Sequence, residues 1–147
     1  MSGVVCAIRG GPHSKPTIRC AIDLAVEHHC PLHFLYIVNV EFLSRTTLSR
    51  VSTISQEMHS LGEFIMLAAQ AEAEKQGVAA NGVVREGNVG DEIVALCRET
   101  GSDYVVLGRP HVKGEENVFT HELLQQFDDR IREETGARVV YPAAGES

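Results

Sequence analysis

None of the four cysteines has a CxxC partner, and Cys6, Cys20, Cys30 and Cys97 are spread too widely for a disulfide scaffold. Basic residues are outnumbered, 13 Lys+Arg against 20 Asp+Glu, for a net charge of −7. An acidic chain lacks the lysine/arginine surface that sequence-independent nucleic-acid binding requires. No apolar run approaches the ~18–20 residues that cross a bilayer. The N-terminal MSGVVCAIRGG has no basic segment before its apolar stretch, so it does not read as a signal peptide. The chain carries neither the GxGxxG nor the GxxxxGK[ST] phosphate loop and no GxSxG elbow. Internal repeats and low-complexity segments are also missing. The expectation is a cytoplasmic, soluble protein with no nucleic-acid or membrane partner.

What is present suits one domain. At 16.0 kDa, with mean hydropathy −0.05 and an apolar share of 44%, such a chain buries about two-thirds of its unfolded surface around one core. The expected limits are a domain over residues 3–142 and a flexible tail over 143–147. Cys6 in VVCAI and Cys97 in IVALC read as buried, reduced thiols.

Five β-like runs alternate with four helical patterns. Val4 to Ile8 is a short apolar run that ends in Arg9-Gly10-Gly11, a turn signal. Ile18, Ile22, Ala25 and Val26 predict a helix over 17–29, with Ser14 as its N-cap. Leu32 to Val40 reads as a buried strand. The serine- and threonine-bearing residues 41–53 read as a loop. Ile54, Met58, Leu61, Ile65 and Ala68 predict the face of a long helix ending near Gly77. Val78 to Glu86 is the third strand. Asn88 or Asp91 caps a helix carrying Ile93, Leu96 and Cys97, which Gly101 ends. Tyr104 to Leu107 is the fourth strand. Phe119, Leu123, Phe127 and Ile131 mark a last helix, and Arg138 to Tyr141 a last strand. Strands alternating with helices need right-handed crossovers, hence an α/β, doubly wound, mostly parallel sheet. In such sheets ligands sit beyond the carboxyl ends of the strands, where strand order reverses.

Two loops at those ends carry candidate chemistry. In Arg9–Lys15, RGGPHSK, glycines let backbone N–H groups face a ligand, and the following helix start attracts anions. The same loop also reads as a tight turn that needs glycine. In Gly108–Gly114, GRPHVKG, Arg109, His111 and Lys113 form a basic cluster that faces Arg9, His13 and Lys15 if strands one and four are neighbours. A solvated mixed-charge loop, with Glu115 and Glu116 beside it, fits equally well. The candidate ligand crevice is therefore Arg9, Gly10, Gly11, Gly108, Arg109, His111 and Lys113.

Two further groups carry less. His28, His29, Cys30 and His33 are metal-ligand types within six residues. They span a helix end, a proline turn and a strand start, which point neighbouring side chains apart, so no metal is expected. Asp128 and Asp129 diverge by about 100° on a helix and are not a carboxylate pair. No catalytic constellation is found.

The chain resembles the universal stress protein family from Val4 to Pro142. The resemblance rests on VVCAIRGGPHS, LHFLYIV, GNVGDEIVALCRETGSDYVVLGRP and VVYP, in that order and spacing. It implies a five-stranded parallel sheet in order 3-2-1-4-5 and a homodimer paired through the last strand. ATP-binding members end strand one with an aspartate and carry G-x2-G-x9-G-[ST] after strand four. Here Arg9 stands in the aspartate place. Gly108 matches the first glycine, while His111, His121 and Glu122 fall where the remaining glycines and the hydroxyl residue belong. The expectation is a stress-response or signalling module that binds no ATP and needs no cofactor, acting through a protein or small-ligand contact. The alternative is a nucleotide- or anion-binding relative, with ATP hydrolysis included, that uses the basic crevice.

Overall fold

The computed structural model describes residues 3–8, 14–38, 48–108 and 116–142, with backbone alone for 48–55 and 116–124. Strands β1 (Val4–Ala7), β2 (Leu32–Val38), β3 (Ala80–Glu86), β4 (Tyr104–Leu107) and β5 (Arg138–Val140) alternate with helices. The helices are α1 (Ser14–His28), α2 (Leu48–Lys75), α3 (Val89–Thr100) and α4 (Glu116–Thr135). All strand pairs are parallel, in the order β3-β2-β1-β4-β5. This is the fold class and order that the sequence led us to expect.

Strand alternation divides the interior into two cores. Val4, Cys6, Phe34, Tyr36, Val38 and Val106 face α1 and α2, where they meet Ile22, Ala25, Met66, Ala69 and Ala73. Val5, Leu35 and Val105 face α3 and α4, against Ile93, Leu96, Cys97 and Ile131. Covered on both sides, β1 and β2 are apolar almost without interruption.

Local chemistry sets several boundaries. Asn88, in extended backbone, accepts the Asp91 N–H at 3.1 Å and caps α3, which settles the choice between Asn88 and Asp91. Asp91 and Glu92 then lie in the first turn, where the helix dipole favours acids. Gly101 closes α3 at φ 65°, a left-handed conformation that a side chain would strain.

Other expectations are corrected. Helix α1 starts at Ser14, inside the helix and not its cap; Pro16 fits the first turn because its missing N–H has no intrahelical role there. Helix α2 begins at Leu48, within the stretch read as loop. Serine and threonine cost only a few tenths of a kcal/mol each in a helix, and a docked helix propagates through them. Strand β3 starts at Ala80, two residues late, and β5 stops at Val140, with Tyr141 donating instead to Asp128 at 2.9 Å. Residues Asn39 and Val40, and the tail 143–147, lie outside the described residues.

The buried face of α2 is also rotated by about one residue from the expected one. Gly62, Met66, Ala69 and Ala73 face the sheet, while Leu61 and Ala68 face outwards. The cause is close approach: a Cβ on Gly62 would lie 2.5 Å from the Tyr36 ring, and one on Gly82 of β3 2.6 Å from the Met66 Cβ. Small residues let the helix settle against the sheet, and a count of apolar positions does not register them.

On the opposite face, ion pairs join the elements. Arg85 of β3 gives Glu99 of α3 a bidentate pair at 2.7 and 2.9 Å. Arg130 of α4 reaches Asp91 at 2.6 Å, and Arg98 of α3 donates to the Glu134 carbonyl.

Candidate functional site

Strand order reverses between β1 and β4, where the sequence led us to expect a ligand crevice; the two strands are adjacent and in register from Val4↔Tyr104 to Ala7↔Leu107. Segments leaving paired ends of neighbouring strands start about 4.8 Å apart. Ile8 and Gly108, which follow these strands, therefore lie side by side at this end of the sheet. The end of β1 is tied down, since the Ile8 N–H donates to the Leu35 carbonyl at 2.8 Å. At the far side Gly87, after β3, donates to the Val38 carbonyl at 3.0 Å.

Of the expected site residues, Gly108 is described; Arg9, Gly10, Gly11, Arg109, His111 and Lys113 lie outside the described residues, as does His13. Lys15 is exposed on the first turn of α1. Gly108 rests on that same turn: a Cβ there would lie 2.8 Å from the Thr17 Oγ1. Thr17 is buried, and its carbonyl takes the Cys6 thiol at 3.9 Å. The first turn of α1 is thus packed against β1 and the end of β4. Thr17 was not singled out in the sequence, because its partner is 91 positions away and no local signal marks the contact.

A second feature missed in the sequence borders the same end of the sheet. His59 Nε2 of α2 meets Glu86 Oε2, the last residue of β3, at 3.1 Å. The pair holds the long helix to the end of β3.

The histidine-rich segment is pulled in two directions. The His28 ring stacks on Tyr104 of β4 at 4.9 Å, while His33 Nδ1 meets Asn81 Oδ1 of β3 at 3.0 Å. With β1 and β2 lying between β4 and β3, these rings lean to opposite sides of the sheet. Among the described residues no three His, Cys, Asp or Glu side chains are placed to hold a metal. Asp128 and Asp129 also part, Asp128 to Tyr141 and Asp129 towards Arg132 at 3.5 Å.

The thiols are set by burial. Cys6 and Cys97 are buried, and burial raises the pKa of each; Cys20 and Cys30 are half-buried and raised by burial first, then by Asp23 and Asp103 respectively. Thiolate is the reactive form. A disulfide reagent at pH 8 is therefore expected to label Cys20 and Cys30 slowly and to leave Cys6 and Cys97 untouched until guanidinium exposes all four. Rapid native labelling of Cys6 or Cys97, read by peptide mass spectrometry, would refute this assignment.

Matches to known proteins extend this geometry. The family model described as the universal stress protein family matches residues 1–126. The chain belongs to the universal stress protein family. The match ends within α4, so β5 lies beyond it. Solved universal stress proteins nevertheless superpose over nearly the whole chain. One from Burkholderia pseudomallei is 21% identical at TM-score 0.72, covering 97% of this chain and 96% of its own. UspA from Lactobacillus plantarum is 13% identical at TM-score 0.76, covering 97% of each chain. A universal stress protein solved in complex with cAMP is 16% identical at TM-score 0.69, covering 98% of each. At these identities the likeness shows the fold. No curated protein matches the sequence. Among the described residues, no helix of this universal stress protein is long and apolar enough to cross a membrane.

Proposed function

We propose that this universal stress protein is a stress-response module that holds a small anionic ligand or a protein partner at the crevice above β1 and β4. It does so without the ATP binding of its ATP-binding relatives. The observation that carries the reading is the adjacency of β1 and β4 at the reversal of strand order. That is where open α/β sheets bind ligands, and here the strand-one loop opens with Arg9 where ATP-binding members have an aspartate. Arginine is a donor with no acceptor atom, so it exchanges recognition of an adenine edge for recognition of an anion.

Arg9, Arg109 and Lys113 carry the ligand charge in this reading, with Gly10, Gly11 and His111 beside them. Titration of the double variant Arg9→Ala/Arg109→Ala with phosphate and nucleotides tests it. The expected result is an affinity at least about tenfold below that of the unmodified protein, since charge-assisted pairs contribute ~1.5–3 kcal/mol. Unchanged affinity in the double variant sinks the proposal. The second reading, a nucleotide held by side-chain charge in an altered pose, is favoured by the relative solved with cAMP. Retention of a nucleotide through purification would select it.

The module is proposed to work as a homodimer paired through β5. That strand lies at the sheet edge next to β4, three residues long with two of them apolar, and needs cover. Light scattering at micromolar concentration is expected to give about twice the chain mass of 16.0 kDa. The single-chain mass would remove the claim.

A further inference from the structure

We infer that the outer face of α2 is a self-association surface whose occupant is the α2 of a second copy of this chain, packed antiparallel across a twofold axis. Three of the large apolar side chains that stay exposed lie on this one helix: Leu61 at 53%, Phe64 at 70% and Leu67 at 65%. They lie on the face opposite Gly62, Met66, Ala69 and Ala73, which are buried against the sheet.

The outward face has an ordered pattern. Glu57, Leu61, Phe64, Ala68, Ala71 and Lys75 are all exposed and recur at intervals of four and three, the a/d spacing of a helix–helix seam. The seam is self-complementary in one register only. A twofold contact places each residue opposite its counterpart about a common level. Centred at the level of residue 66, Glu57 meets Lys75 of the second copy, Leu61 meets Ala71, and Phe64 meets Ala68. Each pair occurs twice. Large side chains fall against small ones, as knobs against holes, and both ends bring opposite charges together.

The flanking acids do not oppose this register. Glu63 lies level with Ala69 of the second copy, Glu72 with Ser60 and Glu74 with Met58, so no acid is level with an acid. Lys75 contacts Glu72 of its own helix at 3.4 Å, but both side chains are more than half exposed and the pair is weak enough to be shared. From Glu57 to Lys75 the seam runs about 27 Å at 1.5 Å per residue. One helix pair of that length falls near the lower end of specific interfaces. The surface is distinct from the β5 edge, since α2 covers β2 and β3 at the other end of the sheet.

Disulfide trapping tests the register directly. The variant Leu61→Cys/Ala71→Cys, made with Cys20→Ser and Cys30→Ser, is expected to give a covalent dimer under mild oxidation. Residues 61 and 71 lie about 15 Å apart along one helix, beyond the span of an intrachain disulfide. Sedimentation velocity on single variants provides the second arm. Phe64→Asp, at an exposed site that leaves the fold intact by circular dichroism, is expected to weaken self-association about tenfold or more. Glu57→Lys is expected to weaken it about threefold or more, and adding Lys75→Glu to restore it. The inference is overturned by an absence of trapped dimer. Association indifferent to Phe64→Asp, which locates the contact elsewhere, overturns it too, as does a purified chain that is monomeric and pairs only with another protein.

Discussion

Calorimetric titration with ATP and magnesium is expected to show no binding in the low micromolar range. Phosphate loops work because glycines let backbone N–H groups approach phosphate oxygens, and a β-carbon blocks that approach. After Gly108 the expected glycines are replaced in sequence by His111 and His121, and the hydroxyl residue by Glu122. A carboxylate placed 4 Å from a phosphate charge is repelled by about 4 kcal/mol at an effective dielectric of ~20, roughly a thousandfold in affinity. A shifted register brings no rescue. Between Gly108 and Tyr141 the remaining glycines are Gly114 and Gly136, and neither precedes serine or threonine. Gly136 follows the end of α4, and its neighbours Ala137 and Arg138 lead into β5. The one glycine that does match, Gly108, has a packing use of its own against Thr17. With Arg9 in place of the strand-one acceptor, the adenine contact is expected to be lost as well. A dissociation constant in the low micromolar range would show that this chain holds ATP by another set of groups, and the reading would fail.

The largest expected effect on stability is that of Phe34→Ala, a loss of about 3–5 kcal/mol. Phe34 is fully buried in the middle of β2, in register with Cys6 on one side and Gly82 on the other. Truncation leaves a cavity that the surroundings cannot fill. Gly82 has no side chain to offer, and Met66 is already pressed against it, with a built Cβ only 2.6 Å away. A domain of this size has a total stability of ~5–15 kcal/mol, so the loss removes a large share of it. With a urea dependence of ~1–3 kcal/mol per molar, the unfolding midpoint is expected to fall by about 2 M. A midpoint within a few tenths of a molar of the unmodified protein would show that this core collapses around the gap.

Residues whose role is local were legible before the structure. Gly101 marked the end of α3 and the cap was narrowed to Asn88 or Asp91, because capping depends on a side chain and a φ angle within a few residues. The alternation of apolar runs and helical periods implied the parallel sheet, and β1 and β2 announced their burial by continuous apolar sequence. The resemblance to universal stress proteins supplied the strand order, which composition and periodicity alone leave open.

Tertiary contact decided the rest. Whether α2 presents Leu61 or Gly62 to the sheet depends on how closely a helix can approach Tyr36, a distance that no hydrophobic count contains. The start of α2 at Leu48 and of α1 at Ser14 follow from docking that carries weak helix formers along with it. Thr17 with Gly108, His59 with Glu86, and His28 with Tyr104 join positions far apart in the chain, and only the folded sheet brings them together. By itself the sequence determined what each segment is able to form, because periodicity, caps and turns act over a few residues. Which face each segment buries, and which distant residues meet, required the packed structure, because close contact between distant segments is a property of the whole chain.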